Sequence, residues 1–261
     1  MTANPGTRLP LEGLSILITR PQRQAERLAC AIEAAGGGAI VFPTIEIQPL
    51  ADDSALRATV GRLSDYQMAI FVSANAVAQG MPYLTSGGAY PATLVFAAIG
   101  DATRKALQGF GVNEVLAPVE RFDSEALLDL PEMQDVASKR IVIFRGEGGR
   151  ETLAQKLRER GALVEYVVCY RRIRPQRDLN PLRANWQAGN IHAVSAMSLE
   201  SLTNLYDILD DSTKRLLAAT PIFVPHPRIA EAARKLGLTD VRVTGVNDDD
   251  LIKELSAIHA G

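Results

Sequence analysis

The chain has 261 residues, a formal net charge of -2 at pH 7 and a pI near 6.0. This length suffices for one large or two modest α/β domains, and the charge argues against a general nucleic-acid-binding protein. Two distant cysteines and three scattered histidines lack metal-ligand spacing, and no apolar run approaches the about 20 residues that span a membrane. We therefore expect a cytoplasmic protein with no metal, no nucleic-acid partner and no membrane segment.

Short β-branched runs alternate with amphipathic stretches along the whole chain. In the first half, LSILITR, QMAIFV and LVFAAIG precede the helical patterns PQRQAERLACAIEAAGG, SANAVAQGMPYL and DATRKALQGFG. In the second half, RIVIFR, HAVSA and PIFV are each followed by a helical pattern. This alternation predicts β-α units built around mostly parallel sheets.

Three short pieces of the first half resemble pieces of the second half, in the same order and at a nearly constant separation. ILITR resembles IVIFR, VSAN resembles VSAM, and GFGVNEV resembles KLGLTDV. The pattern indicates an internal duplication, although helix-strand units of any origin look somewhat alike.

Two segments break the alternation and are interpreted as crossings between the halves. FPTIEIQP, residues 42–49, and YRRIRP, residues 170–175, are extended and bounded by proline. The piece before residue 43 is too small to fold alone, so we expect it to pack with a later part of the chain. The pattern alone does not say with which half.

Polar residues follow most of the predicted strands, where ligands bind in parallel α/β sheets. A helix N-cap explains each Ser, Thr, Asp or Asn separately. Four arginines need another reason, because positive charge near a helix start opposes the helix dipole unless an anion binds there. The strand-end candidates are Arg20, Ser73, Asn75, Gly100, Thr103, Arg145, Gly146, Arg150, Ser195, Ser198 and Arg228.

A glycine-rich turn, FRGEGGRE, lies between a predicted strand and a predicted helix. Gly146 and Gly148 fit the dinucleotide fingerprint, but Glu151 occupies the third glycine position, and the phosphate-loop motif is also absent. Backbone N–H groups at a helix start favour some anion, for example a carboxylate, without a nucleotide. Alternatively, Gly146, Gly148 and Gly149 are present only because the turn needs positive φ.

Tyr170 ends a predicted strand in which Val164, Tyr166, Val168 and Tyr170 are expected to share one face. It is either a strand-end tyrosine with a buried ring and a wet hydroxyl, or a hydrogen-bond donor in catalysis. With a pKa of about 10 the free phenol is protonated at neutral pH, so it would act as a donor or weak acid.

The acidic run Asp248-Asp249-Asp250 precedes the last helical pattern of the chain. Negative charge suits a helix start, so the run is expected to begin that helix and to face solvent. No catalytic role is assigned to it.

In their order and spacing, six pieces resemble the uroporphyrinogen-III synthases of tetrapyrrole biosynthesis: ILITRP, FPTIEIQP, FVSANAV, AIGDATRKAL, FRGEGGRETLAQKLRERGALVEYVVCYRR and PRIAEAARKLGLTDVRV. The resemblance covers almost the whole chain. It implies two α/β domains with mostly parallel sheets, joined by a two-stranded linker with a cleft between them. The domains would be residues 1–43 with 173–261, and residues 44–172.

The same resemblance implies a substrate and a reaction. The substrate is hydroxymethylbilane, a linear tetrapyrrole with carboxylates on every ring, which is cyclised with loss of water and inversion of ring D. The family uses no cofactor, and we expect transient contact with the preceding enzyme of the pathway. A non-catalytic two-domain protein that binds a small polyanion is the alternative, and the failed fingerprints disfavour a nucleotide-dependent enzyme.

The resemblance also suggests roles for single residues. Tyr170 matches the family tyrosine proposed to assist departure of the hydroxyl. Val72 stands where many members have threonine, and PHPRIA at 225–230 replaces a glycine-proline-threonine turn. The cleft-lining positions are Ser73, Asn75, Gly100, Thr103, Gly146, Gly149 and Ser195, to which the strand-end pattern adds Arg20, Arg145, Gly148, Arg150, Ser198 and Arg228 as substrate-binding candidates.

Overall fold

The computed structural model describes residues 9–86, 90–119 and 123–257. The chain divides into two compact units, with boundaries between Glu46 and Ile47 and between Arg172 and Ile173. The first unit combines the chain before Ile47 with the chain after Arg172, and the second is Ile47–Arg172. Both boundaries fall inside the segments 42–49 and 170–175.

Most strands are short apolar runs. In chain order they are β1 (Ser15–Ile18), β2 (Gly38–Val41), β3 (Glu46–Pro49), β4 (Met68–Phe71), β5 (Val95–Ala98), β6 (Val115–Leu116), β7 (Arg140–Gly146), β8 (Leu163–Ile173), β9 (Ala193–Ser195), β10 (Ile222–Val224) and β11 (Val241–Val243).

Helices follow most strands, as the alternation predicts. They are α1 (Gln22–Ala34), α2 (Ser54–Val60), α3 (Ala74–Ser86), α4 (Asp101–Gln108), α5 (Ser124–Leu128), α6 (Thr152–Glu159), α7 (Asn180–Gln187), α8 (Leu199–Ile208), α9 (Asp211–Ala218), α10 (Pro227–Lys235) and α11 (Asp248–Ser256), with 3₁₀ turns at Leu63–Asp65 and Pro131–Met133. Among the helices described, none is long and apolar enough to cross a membrane.

The first unit is built on a five-stranded sheet in the order β11-β10-β9-β1-β2, and every pair in it is parallel. Leu17 and Val194 pack into the core on one face, while Ile16, Ile18 and Phe223 pack on the other. Burial on both faces explains why these strands are continuously apolar.

The second unit is built on a six-stranded sheet in the order β3-β8-β7-β4-β5-β6, with parallel pairing from β8 to β6. Phe71 of β4 and Phe144 of β7 stack with ring centres 4.5 Å apart in the core of one face. The predicted α/β class with two mostly parallel sheets is therefore confirmed.

The two sheets repeat one strand order. The series β11-β10-β9-β1-β2 corresponds position by position to β6-β5-β4-β7-β8. The pieces that resemble each other fall at equivalent strands: ILITR covers the last three residues of β1 and IVIFR lies in β7, while VSAM overlaps the end of β9 and VSAN directly follows β4. GFGVNEV and KLGLTDV lead into β6 and β11. The matched topology supports the internal duplication.

Strand β8 contains a bulge close to its end. Its register with β7 pairs Arg145 with Val168 but pairs Gly146 with Tyr170, so Cys169 is an extra residue on β8. An extra residue in one strand shifts the alternation of side chains beyond it.

Because of this bulge, Tyr170 does not share a face with Val164 and Tyr166. Val164 and Tyr166 pack against the core that contains Ile143, whereas Tyr170 packs on the opposite face of the sheet with Phe144. The expectation that the even-numbered residues of this strand share one face is therefore wrong. Strict alternation holds only while the ladder is regular.

Candidate functional site

The predicted site residues lie at the carboxyl ends of parallel strands, as expected for this type of sheet. They form one group in each unit. The first unit carries Arg20, Ser195, Ser198 and Arg228, and the second carries Ser73, Asn75, Gly100, Thr103, Arg145, Gly146, Gly148, Gly149, Arg150 and Tyr170.

Tyr170 is a buried tyrosine whose hydroxyl is held by a serine. Its side chain is packed in the core with only 3% of the residue exposed, and its Oη lies 3.1 Å from the Oγ of Ser73. The Ser73 Oγ also accepts a hydrogen bond of 3.1 Å from the backbone N–H of Ala76 in the first turn of α3. Ser73 therefore caps α3 and contacts Tyr170 at the same time.

Gly146 lies under the ring of Tyr170. A β-carbon on Gly146 would be 2.6 Å from Cζ and 3.0 Å from Oη of Tyr170. The absence of a side chain therefore lets the tyrosine ring approach the backbone of β7. The glycine-turn hypothesis expected a substrate carboxylate next to this glycine, and in the structure the neighbouring group is the Tyr170 ring.

Arg145 is enclosed by the glycine turn. Only 7% of the residue is exposed, its guanidinium carbon lies 4.3 Å from the ring centre of Tyr166, and its Nη1 lies 2.8 Å from Oε1 of Glu151. A second nitrogen donates to the carbonyl oxygen of Gly148. The hydrogen bond from Arg145 lowers the pKa of the Glu151 carboxyl below its usual value. The buried arginine charge is thus paired inside the turn.

Two glycines of this turn have positive φ, 69° at Gly148 and 107° at Gly149. A β-carbon on Gly149 would also be 2.7 Å from Nη2 of Arg145, whereas one on Gly148 would meet nothing within 4 Å. Both glycines therefore have a conformational reason to be present. Arg150 is exposed beyond them, and α6 begins two residues later at Thr152.

The remaining candidates of the second unit lie at the starts of two helices. Asn75 is half-buried in the first turn of α3. Gly100 is the N-cap residue of α4, with an extended backbone and no capping side chain. Thr103 is buried in the first turn of that helix, and its backbone N–H donates to the carbonyl oxygen of Gly100.

In the first unit, Arg20 is buried at the end of β1 and paired with Asp248. Its Nη1 lies 2.5 Å from Oδ1 of Asp248, and Nε of Arg27 lies 3.5 Å from the other carboxylate oxygen. Within the described residues, Nε of Arg20 and Oγ of the fully buried Ser195 have no hydrogen-bond partner. Arg20 follows the end of β1, and Ser195 is the last residue of the neighbouring strand β9. At the carboxyl ends of these two strands, both donors therefore lack an acceptor within the described residues.

The acidic run Asp248-Asp249-Asp250 begins α11, as predicted, with Asn247 as the N-cap. Asp249 is exposed, but the Asp248 side chain is only 18% exposed because it pairs with Arg20. The expectation that the run faces solvent is wrong for Asp248. A buried arginine needs a carboxylate, and the helix start supplies it.

Ser198 and Arg228 lie at the starts of α8 and α10. The Oγ of Ser198 accepts a 3.0 Å hydrogen bond from the backbone N–H of Ser201 in a capping box. Arg228 is exposed in the first turn of α10, where its backbone N–H donates to Nδ1 of the N-cap residue His226. Helix capping therefore accounts for the presence of Ser198. It does not account for the Arg228 side chain, whose positive charge is exposed.

Comparison with known proteins identifies the family. A family model described as uroporphyrinogen-III synthase HemD matches residues 26–252. The chain belongs to the uroporphyrinogen-III synthase family. The uroporphyrinogen-III synthase of Escherichia coli (strain K12) is 33% identical over 241 residues, which cover 92% of this chain and 98% of that protein. The uroporphyrinogen-III synthase of Proteus mirabilis is 32% identical over 193 residues, 74% of this chain and 97% of that protein.

Solved structures of uroporphyrinogen-III synthases share the fold. A mutant enzyme from the extremely thermophilic bacterium Thermus thermophilus aligns with a TM-score of 0.63 and 17% identity, over 95% of this chain and 100% of that chain. The uroporphyrinogen-III synthetase of Helicobacter pylori 26695 aligns with a TM-score of 0.57 and 14% identity over the same shares. The resemblance inferred from the sequence is confirmed.

For this uroporphyrinogen-III synthase family member, sequence reasoning missed the carboxylates that pair with its two buried strand-end arginines. Glu151 stands six residues after Arg145, so an acidic residue this close to the arginine in the glycine turn could have indicated the pairing. Asp248 is 228 residues from Arg20, and no local pattern connects them. Across the ranges that the structure describes, no group of three or more His, Cys, Asp or Glu side chains is arranged to hold a metal ion.

Proposed function

We propose that this chain converts hydroxymethylbilane into uroporphyrinogen III, closing the macrocycle with loss of water and inversion of ring D. Membership of the uroporphyrinogen-III synthase family supports the reaction. The observation that carries the chemistry is the hydroxyl of the buried Tyr170, which lies 3.1 Å from Oγ of Ser73 at the carboxyl end of the second sheet. A phenol O–H at this position can donate a hydrogen bond to the departing ring-A hydroxyl.

The reaction asks little of acid-base side chains, because hydroxymethylbilane cyclises unaided to the uninverted isomer I. The protein must therefore favour the conformation in which ring D inverts, and stabilise the transition state of that route over the spontaneous one. A single donor on a rigid strand fits this requirement. Tyr170 is held on β8 by its buried ring and by its contact with Gly146.

The substrate is a polyanion, and we propose that its carboxylates bind to donors at the strand ends. In the first unit these are Nε of Arg20 and Oγ of Ser195, together with the exposed guanidinium of Arg228, which follows β10 in the sequence. In the second unit they are the start of α4 at Gly100 and the exposed Arg150. Local donors of this kind bind anions although the whole chain carries a net charge of -2.

We also propose that the protein receives its substrate in the cytoplasm by transient contact with the enzyme that makes it. The chemical reason is that free hydroxymethylbilane cyclises to the wrong isomer while it diffuses. Direct transfer would shorten that exposure.

An isomer assay tests the proposed function. Hydroxymethylbilane is incubated with the protein, the products are oxidised, and the isomers are separated by chromatography. We expect isomer III with the native protein and isomer I with heat-denatured protein. Isomer I with native protein in excess would contradict the proposal, and a rise in melting temperature without a change of isomer would favour the non-catalytic polyanion-binding alternative.

A further inference from the structure

We propose that Ser73 is a positioning residue that donates its hydroxyl proton to Oη of Tyr170, so that the phenolic proton of Tyr170 is directed towards the leaving hydroxyl of the substrate. This inference rests on the proposed function and deepens it. It concerns the direction of one hydrogen bond, between two oxygens 3.1 Å apart that can each donate or accept.

The direction follows from the other neighbour of Ser73. The backbone N–H of Ala76 can only donate, so Oγ of Ser73 accepts there at 3.1 Å. The Ser73 proton then needs an acceptor of its own, and Oη of Tyr170 is the hydroxyl's one other hydrogen-bond partner within the described part of the chain. When Oη accepts from Ser73, its own proton is free to be donated elsewhere.

The opposite direction would work against the proposed role. If Tyr170 donated to Ser73, its single proton would be used inside the protein and would not reach the substrate. The Ser73 proton would also lack a partner in a half-buried place beside a tyrosine that is 3% exposed. An unmade hydrogen bond in such a place is unfavourable.

The position of Ser73 is fixed by the helix that it caps. Its Oγ accepts from Ala76, and its backbone carbonyl accepts from the N–H of Val77 at 3.1 Å. On the other side, the ring of Tyr170 rests on Gly146. The two hydroxyls therefore meet between a capped helix start and a packed ring, which leaves little freedom to rotate away.

A double-mutant cycle separates positioning from capping. We expect Ser73→Ala to lower kcat about tenfold, the effect of one lost hydrogen bond in the transition state, with little change in KM. Ser73→Thr keeps the hydroxyl and should keep kcat within about twofold of the wild type. In a Tyr170→Phe background, Ser73→Ala should cause no further loss of kcat, because the group through which it acts is absent.

If Ser73→Ala fails to fold, Ser73→Gly replaces it, since glycine is tolerated at an N-cap far better than alanine and also lacks the hydroxyl. An equal loss of kcat in the wild-type and Tyr170→Phe backgrounds would overturn the inference, as would an active enzyme that Tyr170→Phe impairs and Ser73→Ala does not. Isomer I from the wild type would instead contradict the proposed function itself. Unchanged kcat in Tyr170→Phe would contradict the role of Tyr170, and with it that of Ser73.

Discussion

Arg20, which is buried, and Asp248, which is partly buried, form an ion pair across 228 residues of sequence, with Nη1 of the arginine 2.5 Å from Oδ1 of the aspartate. The pair connects the residue two positions after strand β1 to the first residue of α11. It neutralises an arginine that is only 8% exposed. The ion pair thereby holds the start of α11 beside the carboxyl ends of the strands, where ligands bind in folds of this class.

Asp248→Asn should destabilise the fold, because it leaves the buried guanidinium of Arg20 without a countercharge. We expect a loss of about 1–3 kcal/mol in the free energy of unfolding, measured by urea denaturation. Asp249→Asn is the matched control, since Asp249 lies in the same helical turn and is exposed. Its effect should stay within about 0.5 kcal/mol. Equal effects of the two substitutions would show that the ion pair contributes nothing.

Gly146→Ala should lower turnover strongly, because a β-carbon there would lie 2.6 Å from Cζ of Tyr170. The ring must shift, and a displacement of about 1 Å at a reacting group can cost on the order of 10²-fold in rate. The measurement is kcat in the isomer assay. Gly61→Ala is the control for glycine replacement away from the site, since Gly61 has a helical φ of -62° and its β-carbon would approach no atom closer than 3.4 Å. Full activity of Gly146→Ala would be incompatible with the proposed place of Tyr170 in the reaction.

Gly148→Ala and Gly149→Ala should both destabilise the fold by about 1 kcal/mol or more, because both glycines have positive φ. Gly149→Ala should be the more damaging of the two, since its β-carbon would also meet Nη2 of Arg145 at 2.7 Å. Thermal unfolding of the two variants side by side checks the order. If Gly148→Ala were the more destabilising variant, the Arg145 side chain would have to move away from the new β-carbon of Gly149→Ala with no loss of stability.

One of the two thiols should react in the native protein. Cys30 is exposed, whereas Cys169 is 3% exposed and burial raises the pKa of its thiol to about 12. A thiolate is the reactive form, so Cys169 stays unreactive near neutral pH. Titration with a disulfide reagent should give one equivalent in buffer and two in urea. Cys30→Ser should leave none in buffer, and a rapid second equivalent in the native wild type would contradict the packing of β8.

Asp210 should make the first unit sensitive to acid. Hydrogen bonds from the hydroxyl of Ser212 at 2.6 Å and from the backbone N–H of Thr213 at 2.8 Å hold the pKa of its carboxyl well below the ordinary value of 3.8. A lowered folded-state pKa means that its contribution to stability is complete above pH 3.8 and is lost as the pH falls below it. Asp210→Asn can still cap α9 but does not titrate.

The urea midpoint should therefore fall less between about pH 6 and pH 3 in Asp210→Asn than in the wild type. Asp211→Asn, the exposed neighbour in the first turn of α9, is the control and should behave like the wild type. If the urea midpoint fell equally in all three proteins, the titration of Asp210 would contribute nothing to the loss of stability in acid.

Local pattern was enough to predict the class of fold and to place the candidate residues at the carboxyl ends of the strands. Apolar strands and amphipathic helices are recognised within a few residues, so LSILITR and RIVIFR correctly predicted β1 and β7. The rule that ligands bind at the carboxyl ends of parallel strands then selected Ser73, Arg145 and Ser195 without coordinates. The glycine turn was different, because the sequence could not distinguish close approach from positive φ. Gly148 and Gly149 have positive φ, while Gly146 lies under the ring of Tyr170.

What the amino-acid sequence alone determined was therefore the alternation of strands and helices, the family and the list of strand-end residues, since each depends on short-range periodicity or on local motifs. Tertiary structure decided which of those residues meet. The bulge at Cys169 moves Tyr170 to the face of Phe144 and brings its hydroxyl to Ser73, and a one-residue insertion in a ladder leaves no mark in the sequence pattern. The pairing of Arg20 with Asp248 was equally invisible, because contacts between residues far apart in sequence are set by how the sheet and the helices pack.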